Sequence, residues 1–349
     1  MEFDFAEEQP KFLMLMYGLI AFVAVVGGLL LLLDVVPAWF ARRRDARLLA
    51  AVTSGAPLLR RRKPREGLFA LFFLLPTLLF LVVGLVVPAI RTTLLSFMDK
   101  DSTNWVGLRN YGWLFSEPSI VRVLTNTLIW VLLVPLVATA FGLIYAVLVD
   151  RARLEALAKS LIFLPMAISF VGASIIWKFV YAYRGEDQEQ IGLLNQIVVS
   201  LGGAPKQWLL DSPLNTFLLI VIMVWIQAGF AMVVLSAAIK AIPADIVEAA
   251  RLDGVTPWQM FWQITMPSIR PALIVVVVTI SIATLKVFDI VRTATNGNYE
   301  TSVIANEMYN QAFRYGQPGQ GSALAVFLFI LVIPIVIYQI RNLRQQREG

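Results

Sequence analysis

Seven runs of apolar residues, each long enough to cross a lipid bilayer, divide this sequence and leave room for few other plans. They lie at Phe12 to Leu33 and at roughly 67–90, 123–149, 160–182, 214–238, 271–290 and 321–340. A helical span takes about 20 residues. Backbone polar groups left unpaired in lipid cost so much that crossing segments are helices or closed barrels. Continuous runs of this length predict helices, so the expected fold class is all-α, a polytopic membrane helix bundle. Composition agrees, with 58% hydrophobic and only 15% charged residues.

The basic residues orient the bundle. Arg42, Arg43, Arg44, Arg47, Arg60, Arg61, Arg62, Lys63 and Arg65 crowd residues 37–66, just after the first run. The acidic residues Glu2, Asp4, Glu7 and Glu8 precede that run, the opposite of a secretory signal peptide. Positively charged loops stay in the cytoplasm, so the N-terminus is expected outside and the tail 341–349 inside. Alternation then puts 91–122, 183–213 and 286–320 outside, and 150–159 and 239–270 inside. Of 29 Lys and Arg, 18 fall on the inner side. The formal charge of +6 is therefore a matter of topology, with lipid as the neighbour and no nucleic acid implied. The chain has no cysteine and no histidine, which removes thiol chemistry and the commonest general base and metal ligand. No metal site and no catalytic residues are expected.

Residues 242–271, IPADIVEAARLDGVTPWQMFWQITMPSIRP, sit between the fifth and sixth of the seven crossings and are only moderately apolar. Pro243 suits a first helical position. Gly254 suits the residue beyond the helix end, where positive φ is needed. Thr256-Pro257-x-Gln259 reads as a capping box that starts a second helix, with Pro267 and Pro271 closing it and opening the next span. The expectation is a helical elbow on the cytoplasmic surface. Asp245, Glu248, Arg251 and Asp253 argue against burial in lipid and for a partner protein.

The spacing Glu248-Ala249-Ala250, three residues, Gly254, nine residues, Ile264, one residue, Met266-Pro267 resembles the EAA loop of ABC importer permeases. Met266 stands where leucine is usual, a volume-conserving exchange. The resemblance implies that Glu248, Ala249, Ala250, Asp253, Gly254, Ile264 and Pro267 dock against a dimeric cytoplasmic ATPase. It also implies a prokaryotic inner-membrane location, a second permease subunit and an extracytoplasmic solute-binding protein. It implies a six-span core over residues 67–340, with residues 1–66 adding a span and a basic linker. No G-x-x-x-x-G-K-[ST] phosphate cradle occurs in the chain. This chain is therefore expected to bind no cofactor and to be no enzyme, with ATP and Mg on the partner.

The outer segments resemble carbohydrate permeases of the maltose and alpha-glucoside type. Residues 96–127 carry the V-G-L-x-N-Y core, and 284–298, TLKVFDIVRTATNGN, match L-K-x-F-D…T-x-G-G-P, with Asn298 and Tyr299 replacing the last two positions. A sugar needs hydrogen-bonding groups for its hydroxyls and flat apolar faces for its C–H side. The candidate path is Trp225, Gln227, Gly229 and Phe230 in the fifth of the seven spans, with Ser281, Thr284, Lys286, Phe288 and Asp289 in the sixth. Spacing places Ser281, Thr284 and Phe288 on one helix face, where the hydroxyls serve either cargo or neighbouring helices. Lys286 and Asp289 are expected to pair, and Trp177, Tyr181 and Tyr183 to form an interfacial belt. The alternatives are an importer for another solute, an ion-coupled secondary transporter and a structural or signalling membrane protein. Secondary transport calls for mid-membrane ionisable groups, for which only Asp289, near one end, is a candidate.

Overall fold

The computed structural model describes residues 66–150, 153–185 and 187–348, with side chains over 73–341, and a few isolated positions before residue 30. The expected first span and the basic linker lie outside the described residues. Two units are distinguished, Met1–Leu78 and Leu79–Gly349. In the first, the described chain is helical from residue 66 onwards.

The second unit is helical throughout, its only β-type pairing among the described residues being one bridge between Met98 and Trp105. Among the described residues, five helices are long and apolar enough to cross a membrane, and a bent pair raises the number to six. They begin with α1 (Glu66–Leu81) and α2 (Val87–Leu95), whose span Phe73–Leu95 has no buried side chain. A short outer helix, α3 (Arg109–Ser116), leads into α4 (Pro118–Val149).

The expected single span at 160–182 is broken. It consists of α5 (Glu155–Phe163), a tight turn Leu164–Ala167 and α6 (Phe170–Val180), bent by 101°. Pro165 has no N–H to continue the ladder, and the Ser169 hydroxyl restarts it by accepting the Gly172 N–H at 3.1 Å. A proline followed four residues later by a polar N-cap carries the physical cause of the bend.

An outer helix, α7 (Leu193–Ser200), precedes α8 (Leu214–Lys240), the most buried of the crossings. The elbow follows as α9 (Ala244–Leu252) and α10 (Pro257–Gln259). Pro243 caps α9 from outside with ψ 133°, one residue earlier than the expected first helical position. Pro267 and Pro271 do not end the second arm. The helix runs from Pro257 to Leu285 through a widened π turn, Met260–Thr265, and α11 (Met266–Leu285). A π turn also precedes Pro88, at Val82–Val86. In both cases the wider i→i−5 spacing just before the proline loosens the ladder where the ring would otherwise strike a carbonyl. The span expected at 271–290 thus starts at residue 257 and stops at Leu285. Two short outer helices, α12 (Asp289–Ala294) and α13 (Ile304–Tyr309), lead to α14 (Pro318–Glu348).

The core forms where α4 and α8 pack along their lengths with α11 against both. Trp130, Val134 and Ala138 meet Leu219, Met223, Ile226 and Met232, with Ile269, Val276 and Ile280 closing the third side. A smaller outer cluster joins Leu114, Ile120 and Val123 to Ile304, Ala323 and Leu324.

Candidate functional site: the elbow and the outer cavity

Local chemistry builds the elbow. At the end of α9, Gly254 takes φ +74°. Its N–H bonds to Arg251 O at 3.1 Å, while Val255 N–H reaches Ala250 O at 3.1 Å, the paired bonds of a Schellman turn. Thr256 then starts α10 as expected. Its hydroxyl accepts the Gln259 N–H at 3.4 Å, and Gln259 Oε1 accepts the Thr256 N–H at 2.9 Å. Satisfying these end groups locally frees the elbow from needing lipid or other helices to hold its shape.

Glu248, Ala249, Asp253 and Gly254 are exposed, Ala250 is buried against the turn, Ile264 is half-buried and Pro267 is exposed. Around them lie Leu252, 89% exposed, and Trp258, 71% exposed, which the spacing argument passed over. Trp258 contacts Trp262 edge-on at 5.6 Å, and Phe261 meets Trp262 at 5.0 Å. An acidic helix bordered by bare aromatic and aliphatic side chains has the make-up of a protein-docking face. Beside it, a cavity of about 660 Å³ is lined by Leu148, Ile239, Trp258 and Phe261 among others.

At the elbow end of the spans, Lys159 Nζ lies 2.5 Å from Asp150 Oδ1 and 2.7 Å from Glu155 Oε1, and also donates to Ser236 Oγ. Ser236 Oγ donates to Asp150 Oδ1 at 2.7 Å, and Lys240 pairs with Glu155. Side chains from α4, α5 and α8 therefore meet in one charged knot.

The cargo candidates in α8 divide. Gln227 is buried in α8, and Trp225 packs edge-on against Trp177 at 5.8 Å. Phe230 packs against the core. Gly229 admits the broken span, since an added Cβ would stand 2.6 Å from Ile162 O. Ser281 and Thr284 are buried and donate to their own helix, to Val277 O at 2.8 Å and Ile280 O at 2.7 Å. The expected Lys286–Asp289 pair is absent among the described residues. The helix ends at Leu285 and the chain turns at Lys286, so i and i+3 no longer share a face. Tyr181 is 4% exposed and donates to Leu218 O at 3.1 Å, so with Trp177 it packs inward rather than in a lipid-facing belt.

Lys286 and Phe288 border a cavity of about 320 Å³ with Met308, Tyr309 and Leu328. Phe288 and Tyr309 rings lie 5.5 Å apart, and the Arg292 guanidinium sits 4.7 Å from the Tyr309 ring while donating to Asn310 Oδ1 at 2.9 Å. Aromatic faces, an ammonium and a guanidinium thus converge. Tyr309 and Asn310 had no spacing signal, because only the return of the chain through 295–303 brings them to Phe288; Arg292, four residues after Phe288, was passed over. Asp289 is exposed in the first turn of α12.

That return is an unusual turn. Asn296, Tyr299 and Glu300 all have positive φ, at 59°, 55° and 61°, with Gly297 at 76°. Left-handed backbone costs a side-chain-bearing residue about 1–2 kcal/mol, so the turn persists because its surroundings hold it. A proline, whose φ is locked near −65°, has no place at 299 in this backbone. The V-G-L-x-N-Y motif is a staple. Asn110 Nδ2 donates to Ser96 O at 2.9 Å and Met98 O at 2.8 Å, and the Tyr111 and Ser96 hydroxyls meet at 2.7 Å.

Comparisons with known proteins agree with this architecture. A family model described as "Binding-protein-dependent transport system inner membrane component" matches residues 138–348. The chain is 53% identical over 276 residues to the osmoprotective compounds uptake permease protein GgtC of Synechocystis sp., covering 79% of this chain and 99% of that one. It is 49% identical over 278 residues to the alpha-glucoside transport system permease protein AglF of Rhizobium meliloti, covering 79% and 83%. With the trehalose/maltose transport system permease protein MalF of Thermococcus litoralis it shares 30% identity over 298 residues, 82% of this chain and 97% of that one. The fold matches that of a bacterial ABC transporter involved in the import of the acidic polysaccharide alginate, with TM-score 0.70 and 23% identity, covering 80% of this chain and 96% of that one. With more than half of its length in the family match and the importer-permease fold around the elbow, this chain belongs to the binding-protein-dependent transport system inner membrane components, the permease subunits of ABC importers.

Proposed function

We propose that this permease imports an alpha-glucoside or another disaccharide. In this reading it forms the path with a second permease, and a dimeric cytoplasmic ATPase that binds ATP and Mg docks on the elbow. A solute-binding protein delivers cargo at the outer face, the N-terminus lies outside and the C-terminus lies in the cytoplasm. The observation that carries the cargo class is the cavity bordered by Lys286, Phe288 and Tyr309, with Arg292 held over the Tyr309 ring. Ring faces suit sugar C–H surfaces, and fixed cationic donors suit hydroxyls. Support comes from the AglF and MalF relatives, whose names specify alpha-glucoside and trehalose/maltose transport. The coupling logic follows from population shift. ATP binds one state of the ATPase more tightly than another, and only that difference drives the spans between inward-open and outward-open arrangements.

The test is uptake of labelled trehalose, maltose and sucrose by the assembled transporter in proteoliposomes, with glycine betaine alongside. ATP-dependent uptake of a disaccharide that Tyr309→Ala lowers by raising KM supports the reading. Uptake of glycine betaine alone overturns it. That outcome favours a second reading, an importer of an osmoprotective compound other than a disaccharide, in line with the wording of the GgtC name.

A further inference from the structure

Helices α4 and α8 run parallel, and both of their ends are fastened. At the outer end the left-handed turn 296–300 lies across the two helix starts. Asn126 of α4 donates to Glu300 O at 2.6 Å and Ser302 O at 3.0 Å, while Asn215 of α8 donates to Tyr299 O at 2.8 Å. The Glu300 carboxylate adds Arg122 of α4 at 3.2 Å and Ser212, just before α8, at 2.9 Å. At the inner end the knot around Lys159 joins Asp150, following α4, to Ser236 of α8. Between the two, Gly142 lets the α4 backbone close on Ala231 and Met232.

Two helices pinned at both ends and in close contact between them cannot slide past one another without breaking both pins. α8 leads into the elbow within three residues, since Lys240 ends it and Ala244 opens α9. From this we infer that Lys159 and Glu300 are positioning residues that make α4 and α8 a single strut through the membrane. The strut delivers displacement at the elbow to the outer turn, where Tyr299 stands 51% exposed. The strained backbone of the turn has a mechanical reading here, because a turn held by side chains from two spans reports any relative movement between them. The inference rests on the elbow being the ATPase contact.

The chain has no cysteine, so Leu128→Cys on the outer half of α4 and Ala237→Cys on the inner half of α8 give two unique exposed sites for nitroxide labels. The distance between the labels is measured by pulsed electron spin resonance in the assembled transporter, nucleotide-free and trapped with Mg-ATP and vanadate. A strut keeps that distance within about 2 Å, the scale of small helix shifts. Lys159→Met makes it depend on nucleotide, Glu300→Ala does the same, and Lys159→Arg restores the constant value. A merely structural Lys159 lowers yield without creating nucleotide dependence.

A change of several ångströms in the otherwise unaltered pair overturns the inference, as does constancy in both pin variants. The underlying elbow reading fails separately. If Glu248→Lys leaves ATP hydrolysis coupled to uptake as in the parent transporter, the elbow is not the contact, whatever the labels report.

Discussion

A Cβ added to Gly142 would stand 2.3 Å from the Cβ of Ala231 and 2.8 Å from the backbone nitrogen of Met232. Small residues let membrane helices approach until their backbones touch, and this contact lies in the second half of both helices of the most extensively packed pair. The obstruction includes backbone, so it cannot be relieved by turning a side chain. Gly142→Val is expected to destabilise the bundle by about 1–3 kcal/mol or more, as overpacking does. A lowered thermal midpoint of the detergent-purified protein, against an unchanged one for Gly112→Ala in open space, checks this.

At the elbow, Gly254 has open space around it but a φ of +74°. Gly254→Leu meets no steric neighbour, so its cost is the backbone one, about 1 kcal/mol, together with a bulky group on the proposed docking face. Glu248→Lys reverses a charge on the same face. Both variants are expected to reach the membrane in normal amounts and to lose most ATP-driven uptake while ATP hydrolysis becomes independent of cargo. Parallel measurements of hydrolysis and uptake in vesicles decide the matter; normal coupling in both removes the docking role.

Asn110 is buried and holds the chain reversal after α2 by two hydrogen bonds that its side-chain amide donates to backbone carbonyls. Removing a donor that leaves buried acceptors unpaired costs about 1–3 kcal/mol. Asn110→Ala is expected to open the segment 97–108 to protease added from outside, without altering which solute is carried. Equal digestion rates for variant and parent protein contradict this role.

The Asp99 carboxyl is held below the usual carboxylate range by the Asn104 side-chain amide, first, and the Thr103 backbone N–H. Because the folded value is lowered, the turn gains from the ionised group above the ordinary carboxylate pKa. That gain is lost as pH falls through the lowered value. Fluorescence of Trp105, which stacks on Phe97 at 5.1 Å, is expected to change in that acid window and to lose the change in Asp99→Asn. An identical acid titration in the variant assigns the transition elsewhere.

Local grammar was readable wherever it depended on neighbours in sequence. The Schellman turn at Gly254 and the Thr256–Gln259 capping box stand as expected, because a helix end is decided by a few adjacent residues. Prolines were read less well. Pro165 breaks a span and Pro267 does not, since the outcome depends on whether a π turn can absorb the ring or a serine caps a new helix beyond it.

By itself the sequence determined the class of fold, through runs of apolar residues that only a bilayer accommodates, and it marked the elbow by residues whose backbone needs are local. The tertiary structure alone decided which polar groups meet. Asn126 finds Glu300, Lys159 finds Ser236 and Phe288 finds Tyr309 only after distant spans have packed. The physical reason is that turn and cap energies are set within one or two helical turns. Contacts between spans depend on how whole helix faces fit, which no short stretch of chain encodes.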